Sequence, residues 1–305
     1  MAQPTIPPCS PLPRGSGPRP GRPDACPVNS RPMNVSPARP DGIVVTMPRG
    51  PAAPLAPLRM AFELLTCLPG PAVPQSTPGR LVGSLLWFPV VGAALGAALG
   101  LVELGVRTAT HQHALACGLV VALGLPATRA RPVRGLMVLS GALFAGRDHE
   151  GLAQLAAREQ PTAFGLLTGM AGLLLKYALL LALPGEARLG ALVLAGGLSR
   201  AAIVWVCWRF PYANIDTGVA GWLVTLAGPR DLWLVLPALV AGLLLLGPSA
   251  VPAALAGAWL PTHAFARWVT RGLSGVTAHA CEATAEVGEL GTLAAVAAVL
   301  SLGLA

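Results

Sequence analysis

The chain has 305 residues, 54% of them hydrophobic and only 11% charged, whereas soluble globular domains carry about 25% charged residues. Its formal net charge of +8 comes almost wholly from arginine, with Lys176 the single lysine. This composition excludes an ordinary soluble enzyme. With no basic patch interleaved with aromatics it also excludes nucleic-acid binding, so the basicity points to anionic headgroups and a positive-inside bias.

Residues 1–57 are dense in Pro, Gly, Ser and Arg and show no apolar periodicity. Such a segment cannot bury enough surface to offset the entropy of ordering, so a disordered tail is expected there, followed by a membrane domain over 58–305. The stretch RMAFELLTCLPGPAVP (59–74) has apolar residues at helical spacing before a Pro-rich stop and suits a short interfacial helix. The next segment, 81–106, is long enough to cross the roughly 30 Å core of a bilayer. In it Gly92, Gly96 and Gly100 form one smooth face, and Pro89 is expected to kink it.

Further apolar segments follow at 114–127, 135–146, 163–184, 190–208, 218–227, 231–247, 249–262 and 290–305, separated by polar stretches at 128–134, 147–161, 209–217 and 263–289. In lipid these segments must be helical. The expected fold is therefore all-α, a polytopic bundle of six to eight membrane helices, some short or re-entrant. Arg129, Arg131, Arg134, Arg147 and Arg158 place the loops around 135–146 on the cytoplasmic side of the cell membrane if that segment is a half-helix or hairpin. The six cysteines are scattered without metal-site or disulfide spacing.

Two charges fall deep in apolar segments, Lys176 and Arg200. A charge at such depth costs about 2.5–3.5 kcal/mol, so it faces a bundle interior or a wet cavity, where a phosphate would suit it. Snorkelling to an interface is the alternative. Glu103 reads as an interfacial residue at the end of its segment. Near the C-terminus His279, Glu282, Glu286 and Glu289 would share one face of a helix. That face either holds a divalent cation or is simply a solvated helix end.

In order along 57–305, FELLTCLPGPAVP, WFPVVGAALGAALG, Gly146-Arg147-Asp148, Ser199-Arg200, Pro211-Tyr212-Ala213, Gly275-x-Thr277 and Glu286-x-Gly288-Glu289 resemble the cobalamin synthase family, the adenosylcobinamide-GDP ribazoletransferases. The resemblance implies a membrane transferase that joins α-ribazole, or its phosphate, to adenosylcobinamide-GDP and releases GMP. Magnesium is the implied cofactor, and a homo-oligomer or other cobalamin-assembly enzymes are the implied protein partners. The buried charges and the remaining polar residues give the candidate site: Lys176 and Arg200 as catalytic, Arg147, Ser199 and Thr277 as substrate-binding, and Asp148, Glu150, Glu286 and Glu289 as substitute metal ligands.

The chain departs from the family signature His-x-Asp-Gly-x-x-Asp-x-x-Asp-Gly. Pro132 stands at its His and Arg134, Val138 and Gly141 at its three Asp positions, with Gly135 retained; His279 replaces a further Asp. Asp148, Glu150 and Glu159, or Glu282, Glu286 and Glu289, are the carboxylates left to substitute. A noncatalytic corrinoid-binding or accessory protein of the same fold is the alternative function, and a small transporter a more distant one.

Overall fold

The structure, a computed structural model, describes residues 56–68, 83–144, 161–213 and 219–303. Most of the expected tail, and the segment carrying Arg147, Asp148, Glu150, Arg158 and Glu159, lie outside the described residues. Ten α-helices are described: α1 (Ala56–Leu65), α2 (Phe88–Thr110), α3 (His113–Ala127), α4 (Arg131–Leu143), α5 (Ala163–Ala182), α6 (Arg188–Arg209), α7 (Val219–Leu226), α8 (Leu236–Leu246), α9 (Ala250–Leu273) and α10 (Ala278–Ser301). A 3-10 segment, Pro229–Val235, leads into α8.

Five stretches are long and apolar enough to span a membrane: those of α2, α5, α6, Pro229–Leu246 and α10. The α3–α4 pair, bent by 82°, makes a sixth if it is one broken span. The protein is an all-α polytopic membrane bundle, at the low end of the expected helix count. The bend has a local cause, since Arg129 and Ala130 both take left-handed backbone, φ 54° and 53°, between the two helices.

One expectation needs correction. Pro89 does not kink the first span; it lies in the first turn of α2, where its missing N–H would have had no helical partner anyway. The polar stretch 263–289 is largely helical, as the His279–Glu289 spacing implied for its second half. α9 runs on from the apolar 249–262 segment through Pro261 to Leu273, and α10 begins at Ala278. Packed neighbours let a membrane helix tolerate an internal proline.

α6 sits at the centre, and its apolar window is 89% buried. Its small residues, Gly190, Ala191, Ala195, Gly196 and Ala201, leave room for neighbours on several sides. α2 lies along it through the predicted glycine face: a Cβ on Gly92 or Gly96 would overlap the carbonyl oxygen of Gly196 or of Leu192. α10 packs against α9, α6, α4 and α5. The short α4 reaches α10 at Gly135, where a Cβ would meet the backbone at His279 and Ala283.

Two loops meet in one pair of backbone hydrogen bonds, Ala213 N to Val276 O (2.9 Å) and Val276 N to Pro211 O (2.8 Å). This joins two segments that carried the family resemblance, 211–213 and 275–277. Just before it, Ser274 closes α9 at φ 60°, which disfavours any residue with a Cβ. Ser274→Gly is expected to stabilise the fold by about 0.5–1 kcal/mol after the glycine's larger unfolded-state entropy is counted. Thermal unfolding in detergent measures this.

Candidate functional site

Lys176 lies on α5, Ser199 and Arg200 on α6, and Glu286 and Glu289 on α10, so three helices distant in sequence supply one cluster. Lys176 Nζ stands 2.7 Å from Glu286 Oε1 and 3.4 Å from Glu289 Oε1. Arg200 Nη1 stands 3.2 Å from Glu289 Oε2 and donates to Ser199 Oγ at 2.8 Å. Lys176 is 9% exposed, Arg200 3% and Glu286 2%. Both cations therefore point inward, and neither snorkels.

Two cations and two carboxylates make the cluster formally neutral. This is how buried membrane charges persist: each is matched at contact distance, which offsets much of its desolvation cost. The cluster lines a cavity of about 30 Å3 whose walls include Gly92, Gly196, Pro132 and Val133. That volume holds a water or two, not a nucleotide.

The structure assigns the other site candidates different surroundings. Ser199 is fully buried; its hydroxyl donates to Gly196 O at 3.0 Å and accepts from Arg200, so it orients the guanidinium. Thr277 is the N-cap of α10, its hydroxyl accepting from Ala280 N at 3.2 Å. The His279 to Glu289 row lies on one helix, as its spacing implied, but it divides: His279 Nδ1 and Glu282 Oε2 stand 3.4 Å apart, while Glu286 and Glu289 face the cations. Among the described residues no three His, Cys, Asp or Glu side chains converge as a metal site. Of the positions matching the family's acidic signature, Arg134 is exposed, Val138 is buried, and Gly141 packs on Thr162.

One ionic group was hidden from the sequence. Glu103 is 1% exposed within the bundle and held by Arg188 Nη1 at 2.7 Å and Arg107 Nε at 3.2 Å. Arg188 also donates through Nε to Leu180 O at 2.9 Å. This group ties α2 to the α5–α6 turn. The signal was the i, i+4 placement of Glu103 and Arg107, together with an arginine opening the next apolar segment.

Fold and site together define an integral membrane protein whose helices enclose a charge-balanced polar centre. Residues 57–297 match the family model for cobalamin-5-phosphate synthase, and the chain belongs to that family. It is 32% identical over 243 residues to the adenosylcobinamide-GDP ribazoletransferase of Roseiflexus sp. (strain RS-1), covering 80% of this chain and 90% of the relative. The enzyme of that name from Desulforamulus reducens is 30% identical over 237 residues, covering 76% of this chain and 92% of the relative. That from Chlorobaculum tepidum is 35% identical over 176 residues, 57% of this chain and 67% of the relative. No solved structure gives a significant match.

Proposed function

We propose that this chain is an adenosylcobinamide-GDP ribazoletransferase of the cell membrane, with its reactive side facing the cytoplasm. The observation that carries the reading is the family match over 57–297, which takes in all three helices of the buried centre. Arg129, Arg131 and Arg134 at the α3–α4 bend support the cytoplasmic orientation.

In this reaction a hydroxyl oxygen of α-ribazole, or of its phosphate, attacks the phosphorus that links the corrinoid to GMP. The new P–O bond forms as the bond to the GMP oxygen breaks, GMP departs with that electron pair, and the hydroxyl proton passes to a base. Catalysis of such a step is mostly positioning and charge stabilisation. Lys176 and Arg200 are the groups that offset charge on the transferred phosphoryl. Ser199 holds Arg200 in place, and Glu289, between the two cations, keeps both side chains oriented while no anion is bound. The resting cavity is too small for a nucleotide, so the surrounding helices part when substrate enters.

Magnesium, which the family resemblance implies, does not fit the described centre. Glu286 and Glu289 are engaged by Lys176 and Arg200, so no step is routed through a metal here.

Complementation of a bacterial strain lacking its own ribazoletransferase tests the proposal. Growth is expected from the native chain and loss of growth from Arg200→Leu, with the variant still present in the membrane fraction. The noncatalytic reading draws on the replaced acidic positions Arg134, Val138 and Gly141. Absence of growth from well-inserted native protein would favour it.

A further inference from the structure

We propose that Lys176 is the resident cation of the buried centre, occupying with its ammonium the place a divalent ion would take between Glu286 and Glu289. These two carboxylates consequently bind no magnesium in the native protein. The inference concerns the centre itself and does not rest on the transferase reading.

Three observations converge on it. First, Lys176 Nζ reaches oxygens of both carboxylates, at 2.7 Å and 3.4 Å, while the second oxygen of Glu289 is taken by Arg200 at 3.2 Å. A magnesium ion bridging these groups would need to lie about 2.1 Å from each oxygen, in the space the ammonium fills. Second, the charges already sum to zero inside a membrane bundle. A divalent ion would leave the centre strongly positive in a poorly screened interior unless Lys176 lost its proton or withdrew. Third, the surrounding wall offers few further oxygen ligands. Pro132 and Val133 of α4 line the cavity, and among the described residues no third metal-ligating side chain joins the two carboxylates. An ion entering there would complete its shell with water.

A merely structural ion pair would not share one consequence of this arrangement. Shortening Lys176 removes one positive charge and opens space between two carboxylates that then face only Arg200, so a divalent cation is expected to enter.

The experiment uses the full chain in detergent, with manganese as a paramagnetic stand-in for magnesium, and bound ion counted by electron paramagnetic resonance. Native protein is expected to bind the same amount of manganese as Glu286→Gln and Glu289→Gln, whether that amount is zero or reflects carboxylates elsewhere, such as Asp148 and Glu150. Lys176→Ala is expected to gain about one equivalent, lost again in Lys176→Ala/Glu286→Gln. Loss of a native equivalent on Glu286→Gln or Glu289→Gln would overturn the proposal, as would a folded Lys176→Ala that gains none. Should Lys176→Ala not fold, the comparison of native protein with the two near-isosteric Gln variants still decides the question.

Discussion

Glu286→Leu is expected to lose about 3–5 kcal/mol of folded-state stability, since it leaves the Lys176 ammonium buried without its nearest counter-charge. The size follows from an asymmetry. Breaking a buried ion pair leaves one uncompensated charge, whereas replacing both partners with apolar side chains removes the desolvation cost along with the attraction. The double variant Lys176→Met/Glu286→Leu should therefore recover most of the loss, with Glu289 still paired to Arg200 at 3.2 Å. Monodispersity and the unfolding midpoint in detergent read the stability. Transferase activity should stay absent in the double variant, which separates the structural role of the pair from the chemical role of Lys176.

The second large effect is expected from Gly96→Val. A Cβ there would overlap the Leu192 carbonyl and lie 2.7 Å from its carbon, both backbone atoms of α6 that cannot rotate away. Overpacking of a tight contact costs about 1–3 kcal/mol or more. In lipid the penalty weighs heavily, because helix association there depends on close packing rather than on a hydrophobic driving force. Failure to accumulate as folded protein is the expected outcome. Gly105, on the same helix, supplies the contrast, since a Cβ added there would meet nothing within 4 Å. Gly105→Ala should be neutral or stabilising by up to about 1 kcal/mol.

Much of this architecture was legible because the bilayer leaves so few options. Apolar runs must be helices, a glycine every fourth residue marks a face for close approach, and charges at the depth of Lys176 and Arg200 either turn inward or snorkel. The structure agrees on the first two and turns both charges inward. The partners of those charges were harder to read. Glu286 and Glu289 stood out as a pair on one helix face, but spacing along α10 says nothing of what α5 and α6 present to it. Carboxylates that resembled metal ligands in sequence stand at ion-pair distance from Lys176 and Arg200.

Other misses share that cause. Glu103 read as an interfacial residue without a visible partner, and Arg188, far along the chain, supplies one. The polar residues from His263 onward read as a break between apolar segments, whereas α9 runs on through Pro261 to Leu273. Local patterns thus defined the spans and the inward charges, while long-range pairing decided what those charges do.

Whether the buried centre carries out the transfer is read by release of GMP from the purified protein given adenosylcobinamide-GDP and α-ribazole. GMP is expected in step with the cobalamin product, with a loss of at least about a hundredfold in Arg200→Leu protein that remains folded, as befits a group stabilising transition-state charge. No GMP from well-folded native protein, or undiminished release from Arg200→Leu, would refute the role assigned to this centre.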